Sequence, residues 1–349
     1  MKQQTILRML PQTLLPWYEE NKRDLPWRKD TDPYHVWVSE IMLQQTRVEA
    51  VKGYFNRFVA VLPTIEHLAH ADDGLLNKLW EGLGYYSRVR NMKKAALKVC
   101  ETFGGRFPVD YKDILSLPGI GVYTAGAISS IAFNQPIPAV DGNVLRVFTR
   151  LTENSTSIDL ASFKKYVFDS LSDIYPKQAG AFTQALMELG ATVCIPNGKP
   201  GCSNCPCMNI CRAFKSETQM NFPVKPRKKE RRIEEKTVFI LNHDGEYALE
   251  KRPSNGLLAN LWQFPNEEGK MTMEAALYLL SKKGIKVRNI SRTVERKHIF
   301  THVEWLMTGV YVELSEKHSD YVWMSSDQIN ADAAIPTAFR QFWEEVAGV

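Results

Sequence analysis

Leu117-Pro118-Gly119-Ile120-Gly121-Val122-Tyr123-Thr124 is the stretch on which the fold turns. Gly119 and Gly121, one residue apart, permit a tight turn and let the backbone come close to a ligand. Asp113-Ile114-Leu115 before it reads as the end of one helix, and Ala125 to Ala132 after it as another. Thr124 and its neighbours then open a helix whose free N–H groups suit a phosphate. The pattern is a helix–hairpin–helix, a grip on the DNA backbone that carries no base readout. Gly-x-Gly by itself is a weak signal, and a plain helical hairpin fits the same residues.

Working outward, apolar residues recur at helical spacing in Tyr34–Phe58, Leu75–Leu79, Val89–Phe103, Ala125–Phe133, Val144–Leu151 and Phe182–Ala191, with Pro and Gly at the joints. Residues 1–221 are therefore expected to be mainly helical. Phe222 to Lys236 carries seven basic and three acidic residues around Pro223 and Pro226, and 222–235 reads as a basic interdomain linker. Beyond it, Thr237–Leu241 and Tyr247–Glu250 flank His243-Asp244-Gly245-Glu246, a hairpin signal. Met273–Ser281 reads as a helix, and Thr308–Leu314 and Tyr321–Met324 as strands, so 236–349 is expected to be an α+β domain. A length of 349 residues accommodates two or three such domains. With 44% hydrophobic and 24% charged residues the composition is globular, and no run approaches the roughly 20 apolar residues that span a bilayer. The leading segment lacks the features of a secretory signal, and a cytoplasmic protein without a membrane partner is expected. Of the net charge of +5, a surplus of four lies in Phe222 to Lys236, so any hold on nucleic acid must come from local cations.

Two acidic residues sit in patterns that suit acid–base chemistry. In Trp37-Val38-Ser39-Glu40-Ile41-Met42-Leu43-Gln44-Gln45-Thr46-Arg47, helical periodicity puts Glu40, Gln44 and Arg47 on one face. Flanked by Val36, Trp37 and Leu43, the Glu40 carboxyl is placed to hold a proton near neutrality, as a general acid must. A surface glutamate on an amphipathic helix is the plainer alternative. Asp141, in Val140-Asp141-Gly142-Asn143, precedes a periodic apolar run and reads as a helix N-cap, where the helix dipole favours its ionised form. One protonated and one ionised carboxyl form the pair that glycosidic cleavage requires.

Five of the six cysteines, Cys194, Cys202, Cys205, Cys207 and Cys211, fall within eighteen residues, while Cys100 stands alone on an apolar helical pattern and is expected in the core. In a large chain without a secretory signal such a cluster points to metal or iron–sulfur ligation rather than disulfides.

Taken together, the glycine hairpin, the Asp141 segment and the trailing cysteines resemble the endonuclease-III-like superfamily of base-excision DNA glycosylases. Leu25-Pro26-Trp27-Arg28, Ser39 to Thr46 and Trp80-Glu81-Gly82-Leu83-Gly84-Tyr85-Tyr86 are similar to MutY-type adenine DNA glycosylases within it, over nearly the whole chain. The resemblance implies a six-helix barrel with an iron–sulfur subdomain over 1–221. It also implies that Glu40 protonates a flipped adenine and that Asp141 stabilises or traps the sugar cation, with Asn143 and Tyr123 orienting them. Arg28 and Gln184 would contact the base. Gln44, Gln45, Thr46, Leu83 and Tyr85 would lie along the DNA, with Gln45, Tyr85 and Leu83 as wedges into the stack, although packing in the core is an alternative for wedge residues. Bifunctional relatives carry a lysine just after the hairpin; Tyr123 stands here, which implies a monofunctional enzyme. A [4Fe–4S] cluster is implied on Cys194, Cys202, Cys205 and Cys211, although seven residues rather than the family's six separate the first two. Cys207 as a substitute ligand and zinc on four thiolates remain alternatives.

The C-terminal part resembles the MutT-like (Nudix) fold that MutY enzymes use to read 8-oxoguanine, through Leu257 to Pro265 and through His298-Ile299-Phe300-Thr301-His302, where Phe300, Thr301 and His302 would probe the lesion. An ordinary strand turn with two exposed histidines is the alternative for that loop. The Arg-Glu-x-x-Glu-Glu array that holds magnesium in working Nudix enzymes is replaced by Asn266-Glu267-Glu268-Gly269-Lys270, which argues against a pyrophosphatase. The resemblance implies a monomer acting on double-stranded DNA with adenine opposite 8-oxoguanine or guanine, nucleoid-associated in a bacterial cell. Rival readings are a related glycosylase of other base preference and a non-catalytic DNA-binding protein.

Overall fold

In the computed structural model, residues 2–226 and 230–347 are described. Arg227, Lys228 and Lys229, central to the expected basic linker, lie outside the described residues. The chain divides into two compact units, Met1–His70 with Arg90–Arg227, and Ala71–Val89 with Lys228–Val349. In this division the segment 71–89 groups with the C-terminal unit. Among the described residues no helix is long and apolar enough to cross a membrane.

The first unit is helical. Helix α1 (Gln3–Asn21) is followed by a short 3-10 turn at Pro26–Arg28, then α2 (Pro33–Leu43), α3 (Val48–Val61) and α4 (Ile65–His70). Asp32 caps α2 by accepting from the Tyr34 amide at 2.7 Å, with Pro33 pre-set at the first helical position. One continuous helix over Tyr34–Phe58 is not formed. Gln45 adopts a left-handed φ of 59°, so α2 ends at Leu43, and Gln44 and Arg47 leave the helical face assigned with Glu40. Helix α5 (Asp73–Leu79) and the start of α6 (Ser87–Phe103) belong to the second unit's segment. The hairpin joins α7 (Tyr111–Leu115) to α8 (Val122–Ile131), which starts three residues earlier than periodicity placed it. Gly119 is obligatory there: its φ is +77°, and a Cβ would lie 2.7 Å from that of Asn91. Helices α9 (Gly142–Thr152), α10 (Ala161–Ser172) and α11 (Ala179–Thr192) pack with α1 around Leu10, Leu14, Phe148, Phe163, Phe182 and Leu186, and α12 (Arg212–Lys215) closes the cysteine segment. Cys100 is half-buried at the edge of α6 rather than in the core.

The second unit is a seven-stranded sheet in the order β3-β2-β1-β6-β5, with β4 paired to β1 and β7 to β2. The strands are β1 (Arg232–His243), β2 (Glu246–Lys251), β3 (Trp262–Gln263), β4 (Asn266–Glu268), β5 (Val287–Ile299), β6 (Val303–Leu314) and β7 (Val322–Ser325). Residues 232–235, expected in the linker, pair in parallel with Val303–Leu306, so backbone pairing overrides their charged composition. The β1–β2 hairpin turns through Asp244 (φ 48°) and Gly245 (φ 84°), the two positive values an Asp-Gly turn supplies. Helix α13 (Met273–Lys282) packs Ala276 and Leu280 against Phe239, Leu241, Val310 and Val312. Val238 and Ile240 meet Phe339 and Phe342 of α15 (Thr337–Ala347) together with α14 (Ser326–Asp332) on the other face. Strict alternation along β1 produces this two-sided burial.

Candidate active site

A cavity of about 670 Å³ opens in the first unit, and both singled-out carboxyls line it. Arg28 and Gln184 share its wall, as do Gln44, Gln45, Thr46, Gly121, Tyr123 and Asn143. The surface-glutamate alternative for Glu40 does not hold: Glu40 is 6% exposed, on a helix whose Tyr34, Val36, Trp37, Val38, Ile41 and Met42 are also buried. Tyr123, in the first turn of α8, donates its hydroxyl to Glu40 Oε2 at 2.5 Å. Burial pushes the Glu40 carboxyl up to about 7, the Tyr123 hydrogen bond opposes this, and the Asp141 charge adds to it while Arg28 lowers it. Such a carboxyl carries a proton that it can give away at neutral pH. The same burial and the two neighbouring acids hold the Tyr123 phenol well above its ordinary range, so it remains a donor.

Asp141 caps α9, with Oδ1 accepting from the Val144 amide at 2.8 Å and Oδ2 from Asn143 Nδ2 at 2.6 Å. Its titration differs from what the helix terminus alone suggests. Burial raises it above the usual aspartate value, while the Val144 and Asn143 hydrogen bonds and the Arg146 charge pull it back. Arg146 in turn donates to Asn143 Oδ1 at 2.8 Å, which fixes the amide that holds Asp141. Helix α8 and the loop carrying Asp141 approach so closely that a Cβ on Gly126 would meet the Pro138 carbonyl oxygen at 2.2 Å. This contact keeps Tyr123 and Asp141 on one rigid wall. Gly121 brings no side-chain cap to α8, and nothing lies within 4 Å of where its Cβ would stand.

Two wall residues escaped sequence reasoning. Glu188 is fully buried and accepts from Arg23 Nε at 2.5 Å and from Arg28 Nη2 at 2.8 Å. A signal was present, since Glu188 follows Gln184 by four residues and so shares its helix face.

Cys194, Cys202, Cys205, Cys207 and Cys211 line a separate small pocket with Val147, Leu151, Leu189 and Phe214. Arg150 Nη1 reaches Cys194 Sγ at 3.3 Å and the Ile195 carbonyl at 3.0 Å. Sulfur-rich, largely apolar and flanked by a guanidinium that stabilises thiolates, this lining fits an iron–sulfur cluster. Among the described residues no group of three His, Cys or carboxylate side chains is arranged to hold a metal ion. Cys207 is buried and hydrogen-bonded to Cys205, which holds Cys205 low and Cys207 high.

Leu83, Tyr85, Phe300, Thr301 and His302 belong to the second unit. Leu83 is buried at 7% exposure, as the packing alternative has it, whereas Tyr85 is 47% exposed with a φ of 48°. The Tyr85 hydroxyl meets Thr301 Oγ1 at 2.7 Å. Phe300, Thr301 and His302 form the turn between β5 and β6, with the Phe300 ring 4.5 Å from His298 and 4.8 Å from Trp305. Of the two histidines, only His302 is exposed; His298 is half-buried, and burial lowers its pKa.

Residues 38–166 match the family described as HhH-GPD superfamily base excision DNA repair protein, and 237–345 the NUDIX domain. An adenine DNA glycosylase of Rattus norvegicus is 34% identical, over 95% of this chain and 73% of that protein. The chain belongs to the adenine DNA glycosylase family. A homologue of the same description from Buchnera aphidicola (strain Sg) is 33% identical over 87% of each chain. One from Arabidopsis thaliana is 38% identical over 86% of this chain, which spans 56% of that relative's length. Among solved structures, a thermostable thymine-DNA glycosylase superposes with a TM-score of 0.55 at 28% identity, covering 61% of this chain and 98% of its own. An endonuclease III in a non-covalent DNA complex shares the fold, with a TM-score of 0.53 at 23% identity over 63% of this chain and 99% of its own.

Proposed function

We propose that this chain is a monofunctional, monomeric adenine DNA glycosylase that removes adenine paired with 8-oxoguanine or guanine from double-stranded DNA. The observation that carries the reading is that Glu40 and Asp141 line one cavity, Glu40 bonded to the Tyr123 hydroxyl and Asp141 to the Asn143 side chain and the Val144 amide. In this reading the extruded adenine enters that cavity, where Arg28 and Gln184 meet its polar edge. Glu40, held by the Tyr123 hydroxyl, protonates a ring nitrogen of the purine. The bond from C1′ to N9 then breaks, its electron pair leaving with the base. The Asp141 carboxylate, oriented by Asn143 and the Val144 amide, faces the resulting sugar cation. The ionised Glu40 takes a proton from the attacking water, which restores the acid. No lysine follows the hairpin, so strand cleavage through an imine is not part of the scheme.

Cys194, Cys202, Cys205 and Cys211 would hold the [4Fe–4S] cluster, with Cys207 as the spare thiol beside them. When bound, the cluster ties the segment from 194 to 211 into a fixed loop. The catalytic side chains fall within 1–221 and lesion recognition within 236–349, where the loop of Phe300, Thr301 and His302 reads 8-oxoguanine. Gln45 and Tyr85 enter the base stack, and the hairpin of Gly119 and Gly121 grips the phosphate backbone. The protein works in the cytoplasm of a bacterial cell, on nucleoid DNA.

The test is an end-labelled duplex with one adenine opposite 8-oxoguanine, incubated with the protein and then treated with alkali. Nicking of the adenine strand only after alkali is expected. Nicking without alkali would refute monofunctionality, and an intact strand in both arms would refute the activity.

A further inference from the structure

We propose that Glu188 is a positioning residue of this site: one buried carboxylate that fixes both Arg23 and Arg28 in the wall of the cavity that Glu40 lines, and leaves that wall with one net positive charge instead of two. The proposal rests on the reading of Glu40 as the acid that protonates adenine.

Glu188 is fully buried, and a carboxylate is retained in such a place only when it is paired. Its pairing is complete: Oε1 accepts from Arg23 Nε at 2.5 Å, and Oε2 accepts from Arg23 Nη2 at 3.1 Å and Arg28 Nη2 at 2.8 Å. Burial pushes this carboxyl up, but the two arginines outweigh it and hold Glu188 below the ordinary glutamate value, so it is ionised at neutral pH. Arg28 is further fixed by donating to the Arg23 carbonyl at 3.2 Å and by lying 5.7 Å from the Tyr18 ring. All three charged residues line the cavity.

The groups that act on Glu40 come from each side of the cavity: Arg28 from the 3-10 turn, Tyr123 from α8 and Asp141 from the cap of α9. Arg28 is the cation among them, and its charge favours loss of the Glu40 proton. With Glu188 in place the Arg23–Arg28–Glu188 cluster carries one net positive charge; without it the cluster carries two. Arg28 is 14% exposed and Arg23 33%, so the extra charge is only partly screened by solvent. The position of Glu188 on α11, one turn beyond Gln184, also means that the helix presenting a base contact sets the guanidinium of Arg28.

Single-turnover adenine release by the full-length protein, followed across pH on both sides of 7, tests this. Glu188→Gln should move the basic limb of the profile down by about one pH unit, giving a rate about tenfold lower above neutrality and a loss that shrinks toward acid pH. Glu188→Asp, which keeps the charge, should leave the limb in place. The Arg23→Gln/Glu188→Gln double variant should return it to the wild-type pH. A loss by Glu188→Gln of equal factor at every pH, or an unmoved limb, would overturn the proposal. Should Glu188→Gln not fold, Arg23→Gln alone decides: the limb must rise, and a fixed limb overturns the proposal. A carboxyl 13C NMR titration of Glu40 in glutamate-labelled protein reads the same displacement without turnover. It therefore separates failure of Glu188 from failure of the adenine reading, which an inactive wild-type protein would signal.

Discussion

Replacing Glu40 by glutamine should abolish adenine release and yet make the protein more stable above neutrality. Folding carries the Glu40 carboxyl from an ordinary value of 4.5 to about 7, chiefly through burial. A carboxyl whose folded value is raised binds a proton more tightly in the native state. Its favourable contribution is complete below pH 4.5 and is lost as pH rises toward 7, above which the native state bears the buried charge in full. Two and a half pH units at about 1.4 kcal/mol each set a ceiling of about 3 kcal/mol. Glutamine keeps an oxygen to accept the Tyr123 hydroxyl but never ionises, so the variant escapes the penalty. At roughly 2–4 °C per kcal/mol for a unit of this size, Glu40→Gln should melt several degrees above wild type at pH 8, and the gap should close near pH 4.5. Thermal unfolding at the two pH values, read beside single-turnover adenine release, makes the measurement. A stability difference independent of pH, or a variant less stable than wild type at pH 8, would refute the raised carboxyl; retained turnover would refute Glu40 as the acid.

Tyr123→Phe removes a hydrogen bond that favours the ionised form of Glu40, so the basic limb of the pH–rate profile should move up, by about one to two pH units if the bond is worth about 1.5–3 kcal/mol; a downward move contradicts the geometry. Gly119→Ala forces a side chain into a left-handed position against Asn91, and should cost about 1–3 kcal/mol in unfolding experiments and weaken binding to undamaged duplex, whose grip is backbone-based. Thr301→Val keeps the shape but removes the hydroxyl bonded to Tyr85, and should reduce the preference for adenine opposite 8-oxoguanine over guanine about fivefold, the equivalent of about 1 kcal/mol; equal losses for both partners would show that Thr301 does not discriminate.

Much of this site was legible because local chemistry fixes it. Asp141 as an N-cap, the Asp244-Gly245 turn and the glycine hairpin each follow from a few neighbouring residues. The burial of Glu40 was only half legible: its apolar neighbours Val36, Trp37 and Leu43 suggested it, but periodicity left a surface position open, because burial depends on which elements later cover a helix face. The break after Leu43 carries neither glycine nor proline, so nothing in Gln44-Gln45-Thr46 announces the positive φ of Gln45. Strand β5 was missed because Val287 to Ile299 is largely polar and exposed; its order comes from pairing with β6 along most of its length. Glu188 was overlooked for a related reason: an isolated glutamate in an apolar helix acquires meaning only when two arginines from a distant segment arrive to meet it.

The grouping of 71–89 with the C-terminal sheet bears on the lesion reading proposed for that unit. Glu81 pairs with Arg340 at 2.6 Å and accepts from the Ile335 amide at 3.0 Å, while Lys78 donates to the Ala333 carbonyl at 3.3 Å. In the same unit the Tyr85 hydroxyl meets Thr301. The residue proposed to enter the stack and the residue proposed to touch 8-oxoguanine are therefore already hydrogen-bonded in one folded unit, though more than two hundred positions separate them in sequence. Removing residues 234–349 would strip 71–89 of those partners, leaving Glu81 its pair with Lys78 and Tyr85 its contact with Arg88. Loss of activity on truncation is then no measure of recognition alone. Single substitutions on the β5–β6 turn, which leave the Glu81–Arg340 anchor intact, are the change that isolates it.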